Sequence, residues 1–261
     1  MRNVRLCIAY DGTDFAGWQR QPSRLTIQGC IENALGQVLG HTPVLNGSGR
    51  TDSGVHAVGQ IANFHTDNPI PCPNLIRALN GTLPSAIRVL DAREAVAGFH
   101  ERYDARVKVY RYRILQTSIC PPFLGRFVYH CTRKLDYSRM DRAAKLIEGR
   151  RDFTSFAAAA DRGGGTNGQG AALRPHQDAS SIRTVFSSRI VWKPRTSVLL
   201  YEVHGNGFLH HMVRNIAGTL IEIGAAERDP GDILGLIEAR DRRAAGPTAP
   251  ARGLCLVRVE Y

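Results

Sequence analysis

Alternating apolar segments, helical stripes between them and one element order met twice predict an α+β protein. The expected architecture is two ferredoxin-like, RRM-like units with mainly antiparallel sheets and a cleft between them. Residues 1–105 are expected to form the first unit, which carries a glycine-rich loop. Residues 106–261 form the second, with a long mobile insert near 157–182. A length of 261 residues is comfortable for two small domains, and a hydrophobic fraction of 43% supports a real core.

In the first unit Val4, Leu6, Ile8 and Tyr10 alternate with Arg5, Cys7 and Ala9, the pattern of a half-buried strand. Residues 10–22 read as a loop, with Asp11-Gly12 marking a turn. Thr26 is placed to cap a helix whose apolar face is Ile27, Cys30, Ile31, Ala34, Leu35 and Val38, and Gly40 to end it. A glycine-rich loop over 46–60 then leads into a strand through Phe64. Pro71 and Pro73 open a short helix with Leu75, Ile76 and Leu79 inward, and Ile87, Val89 and Leu90 begin another strand.

The second half repeats the order. Residues 107–115 read as a strand. Ser138 and Asp141 read as a capping-box start for a helix whose inner face is Met140, Ala143, Ala144 and Ile147. Strands over 185–192 and 198–204 follow. A helix over about 208–223 has Leu209, Met212, Val213, Ile216 and Leu220 as its stripe, with His210 and Arg214 together at the stripe's edge. Another helix begins at Asp229-Pro230, and 254–261 closes the chain as a strand. The segment 157–182 offers no periodicity and reads as a mobile loop.

Lys and Arg outnumber Asp and Glu by 34 to 23, a formal charge of +11. Such a balance points to a polyanionic partner, most often nucleic acid. None of the six cysteines is spaced Cys-x-x-Cys, which argues against a zinc ribbon or a redox pair. Arg2 and Arg5 lead straight into a strand pattern instead of a secretory signal, and no apolar run is long enough to span a bilayer. A cytoplasmic location is expected, with no membrane partner.

Three constellations can carry chemistry. The first is Asp52 beside Arg50 on the glycine loop, a carboxylate placed to act as nucleophile, base or ligand. No second acid sits at ligand spacing, so no metal is expected there. His210 and His211, read as lying on different helix faces, make a poor metal clamp. The second is 107–114, where Lys108, Tyr110 and Tyr112 share one strand face and Arg111 and Arg113 the other. Aromatic rings interleaved with cations suit base stacking and phosphate contact, although the tyrosines equally suit a sheet core. The third is 207–215, where Arg214 at a helix boundary needs an acid or a polyanion as partner.

Together these segments resemble the TruA-type tRNA pseudouridine synthases. GSGRTDSGVHA (47–57) is similar to that family's catalytic motif, with Asp52 at its aspartate. Lys108, Tyr110, Tyr112 and Ile114 match its K-x-Y-x-Y-x-I strand, whose first tyrosine lies at the target uridine. Residues 208–215 match its FLHHMVRN helix, with Arg214 at the position that pairs with the aspartate. The opening YDGTDFAGWQRQ, Ile27-Gln28, and Pro250, Gly253, Leu254 and Val259 near the end also fit. The departure is 157–182, which family members commonly cross more briefly.

The resemblance implies isomerisation of uridine to pseudouridine at positions 38, 39 and 40 in the anticodon stem-loop of tRNA. It implies Asp52 as the catalytic residue, and Tyr110, Arg50 and Arg214 as substrate-binding residues. It also implies a homodimer gripping one tRNA, with no metal and no small-molecule cofactor. Two other readings use the same residues. A noncatalytic protein of two RRM-like sheets would leave Asp52 dispensable, but a clear RNP1 aromatic motif is missing. A metal-dependent nuclease or phosphatase would need more acids near the loop.

Overall fold

The computed structural model describes residues 1–96, 98–158 and 181–261. In chain order these form β1 (Arg2–Tyr10), α1 (Ile27–Leu39), β2 (Asn46–Gly47), β3 (His56–Thr66), α2 (Cys72–Thr82), β4 (Ile87–Ala95) and β5 (Val107–Leu115). There follow β6 (Tyr129–His130), α3 (Tyr137–Lys145), β7 (Gly149–Asp152), β8 (Ile182–Lys193), β9 (Val198–Gly205), α4 (Met212–Gly224), α5 (Asp232–Ala239) and β10 (Leu254–Glu260). The chain is thus a mixed α/β protein with mostly antiparallel strands.

Two compact units divide it. The first comprises Met1–Arg111, Cys120–Tyr129 and Ala251–Tyr261; the second comprises Tyr112–Ile119 and His130–Pro250. In the first, β1 lies between β4 and β3, antiparallel to both, and buries Val4, Leu6, Ile8 and Tyr10. The period-two pattern survives there because one face of β1 meets the core. β2 pairs with β3, and β10 joins β3 in parallel, Cys255 opposite His56. β3 is buried at nearly every position, so its polar residues His56, Gln60, Asn63 and Thr66 are buried along with its apolar ones. Thr26 caps α1 by accepting the Gly29 amide at 3.3 Å, an interaction worth about 1 kcal/mol. α1 buries Ile27, Ile31, Ala34, Leu35 and Leu39, and α2 buries Leu75 and Leu79.

In the second unit β8 lies between β9 and β7, antiparallel to both. α3 lies against β8 and α4, burying Met140, Ala143 and Ala144. Its start differs from the expected capping box. Asp136 is the cap, its Oδ1 accepting the amides of Ser138 at 2.9 Å and Arg139 at 3.0 Å. Ser138 lies inside the helix, and Asp141 instead accepts the Ile190 amide of β8 at 2.9 Å. A strong cap two residues upstream displaces the weaker one.

α4 corrects a larger expectation. It starts at Met212, not near 208, because His211 adopts a left-handed conformation (φ 61°) that no helix continues. The Met212 amide closes a turn on Leu209 O at 3.0 Å instead. Helical spacing therefore does not apply to Leu209 or His210. Leu209 is outside the stripe, and His210 does not share a helix face with Arg214. Nor do the two histidines point apart: their rings lie 4.0 Å centroid to centroid. α5 likewise begins at Asp232, after the Asp229-Pro230 turn. The expectation of a mobile loop over 157–182 falls on 159–180, which lie outside the described residues. No helix among the described residues is long and apolar enough to cross a membrane.

Candidate active site

The loop before β3 is held from both sides by backbone. A Cβ on Gly12 would lie 1.9 Å from Val55 O, and one on Gly17 would lie 2.7 Å from Thr51 O. Only glycine permits that approach, so the segment after β1 lies directly on the backbone flanking Asp52. Hydrogen bonds fasten the contact. Trp18 donates its amide to Thr51 O at 3.0 Å, and Ser53 Oγ donates to Phe15 O at 3.0 Å. The Tyr10 hydroxyl lies 2.8 Å from Thr51 Oγ1, and the Val55 amide turns back onto Asp52 O at 3.1 Å.

The loop's upstream arm is tied to β3 by Gln60, a fully buried amide. Gln60 Oε1 accepts Ser48 Oγ at 2.7 Å, and its Nε2 donates to Gly49 O at 2.8 Å. Lys108 of β5 donates its Nζ to Ser48 O. With its polar groups satisfied this way, the loop is a rigid mount for a half-buried Asp52 and an exposed Arg50.

Tyr110 belongs to the same unit and is 7% exposed. Burial, and then the negative charge of Asp52, push its phenol up. Tyr10 is pushed up by burial as well, against its hydrogen bond from Thr51 and with Tyr110 adding to the rise. Within the first unit, Asp52 thus lies near enough to Tyr110 for its charge to act on the phenol. Arg214 belongs to the second, in the first turn of α4. Its Nε donates to Ala249 O at 2.8 Å, and the Ala249 amide donates back to Arg214 O at 3.1 Å. That reciprocal pair fixes the arginine's stem against the segment after α5.

A family model described as tRNA pseudouridine synthase matches residues 6–104 and 143–261. The tRNA pseudouridine synthase A of Solibacter usitatus is 46% identical over 261 residues, covering all of both chains. The proteins of that name from Caldicellulosiruptor saccharolyticus and Latilactobacillus sakei are each 40% identical, over all of this chain and 100% and 99% of theirs.

The chain belongs to the tRNA pseudouridine synthase family.

The segments matched by the family model contain Arg50, Asp52 and Arg214, while Tyr110 falls in the interval between them and is covered by the full-length relatives. Sequence reasoning about this synthase-family chain missed the supports of the loop. Gln60, an amide between the apolar residues Val58 and Ile61 of β3, is the available sign for the first of them. Lys108 stands out in the sequence for its charge, yet its role on Ser48 O needs the register of β5 against the loop.

Proposed function

We propose that this protein isomerises uridine to pseudouridine in tRNA, at positions 38, 39 and 40 of the anticodon stem-loop. The observation that carries the reading is full-length similarity to synthases together with Asp52 on a braced loop beside Tyr110. In the reaction the C1′–N1 glycosidic bond breaks and a C1′–C5 bond forms. The C5 proton leaves and N1 takes one up, so the net change is isomerisation with no redox partner. A stacked base cannot be turned in place, so the target nucleotide must leave the stack. Asp52 is the catalytic carboxylate, and Arg50, Tyr110 and Arg214 bind the everted nucleotide. A net charge of +11 suits the salt-sensitive grip on tRNA.

Tyr110 has a constrained role. A phenol pushed up by burial and by Asp52 stays protonated at neutral pH. It can stack on uracil and donate a hydrogen bond. It can accept the C5 proton only if its own proton passes onward in the same step. Tyr110→Phe is expected to lower kcat by about 100-fold while tRNA affinity holds, since the ring remains and the hydroxyl is lost. Single-turnover rates beside filter-binding affinities check this.

The same reading carries a homodimeric, cytoplasmic enzyme without metal or small-molecule cofactor. It also carries two ferredoxin-like halves, 1–105 and 106–261. In the first half, support comes from β1 lying between β4 and β3 with α1 and α2 as connections. In the second, β5, α3, β8, β9 and α4 follow that strand and helix order once the short β6 and β7 are set aside, while α5 is additional and β10 pairs with β3 of the first unit. The deciding experiment is tritium release from tRNA labelled at uridine C5, with EDTA present. Release at the full rate is expected. A requirement for divalent metal would favour the hydrolase reading.

A further inference from the structure

We infer that His56 is a positioning residue for Asp52, acting through the lone pair on its Nδ1; this rests on the reading of Asp52 as the catalytic carboxylate. His56 opens β3 and is 5% exposed. The Gly12 amide donates to its Nδ1 at 3.1 Å. That nitrogen therefore carries the lone pair, and the proton sits on Nε2, which donates to Arg126 O at 2.9 Å. Arg126 in turn places Nε 3.1 Å from Asp11 Oδ2 and also pairs with Asp14. The Phe127 ring lies 5.1 Å from the imidazole and fixes its plane.

One imidazole thus joins three segments distant in sequence: the turn after β1, the head of β3, and the chain around Arg126. Its hold on Gly12 has a specific consequence. Gly12 is the residue whose α-carbon faces Val55 O, and Val55 closes the turn on Asp52 O. If the Gly12 amide loses its acceptor, the backbone beneath Val55 is released and the carboxylate moves with it. Asp11 Oδ1, 3.2 Å from the same nitrogen, is already committed, accepting the Thr13 amide at 3.0 Å and the Thr13 hydroxyl at 2.6 Å. Burial alone would make His56 a packing residue. The named acceptor role separates the two ideas, because amide side chains can imitate the ring one nitrogen at a time.

In His56→Asn the side-chain oxygen falls near the place of Nδ1 and keeps an acceptor for Gly12. In His56→Gln the amide reaches toward Arg126 O and leaves Gly12 without one. Turnover on tRNA should stay within about threefold of wild type for H56N, and fall about tenfold or more for H56Q and H56A, with KM within about twofold throughout. Amide hydrogen exchange, read without substrate, should quicken at Gly12 in H56Q and H56A but not in H56N. Equal turnover for H56N and H56Q, or H56A within about twofold of wild type, would overturn the inference. If H56A does not fold, the Asn and Gln variants still decide. An active Asp52→Asn enzyme would instead remove the premise, and the exchange data would then still report whether His56 holds Gly12.

Discussion

Asp52→Asn is expected to lower pseudouridine formation by on the order of 10⁴-fold, the scale of loss when an essential carboxylate becomes its amide. Affinity for tRNA should stay within about tenfold, because little binding energy rests on one acid among many cationic contacts. The reason for so large an effect lies in the mount. Thr51, Ser53 and Val55 are each hydrogen-bonded within the first unit, so the loop keeps its shape when the side chain changes. Asparagine then occupies the same place without the charge or the basicity. Tritium release and filter binding on one preparation separate the two quantities. Turnover near wild type would remove Asp52 from the chemistry.

The second large effect is expected from a residue that has no side chain to take part in chemistry. Gly12→Ala puts a methyl carbon 1.9 Å from Val55 O, well inside van der Waals contact with backbone that cannot rotate away. The loop must shift, at a cost of about 3 kcal/mol. For a chain of this size that lowers Tm by about 6–12 °C. Turnover should fall by more than about tenfold, because the displaced backbone is the one that holds Asp52. Gly81→Ala is the control. Gly81 lies in α2, a Cβ there meets nothing within 4 Å, and its replacement should leave activity unchanged and stabilise by up to about 1 kcal/mol. Thermal melts and turnover of the pair test whether the close approach at Gly12 matters.

The elements most legible in the sequence were those whose local signals agree. β1 has clean alternation, and α1 has its cap, its stripe and its terminal glycine. The helix starts of the second half were misplaced where a local pattern met a stronger tertiary demand. The residues 208–211 carry apolar spacing that suits a helix, yet His211 turns left-handed and the helix waits until Met212. Asp141 matches a capping box, yet an unpaired strand amide at Ile190 claims its carboxylate. Neither claim is visible from neighbours in sequence, since the competing group comes from another element.

For the site, the loop motif and the resemblance it carries point to Asp52, Arg50, Tyr110 and Arg214 from the sequence alone. Their chemistry is a property of residue type and order. The order of the chain by itself determined the family, the reaction class and the candidate acid, because these depend on which functional groups are present in which sequence. Only the tertiary structure decided what holds the acid still. Gly12, Gly17, His56 and Gln60 matter through contacts with residues far along the chain, and such contacts exist only once strands have chosen their register.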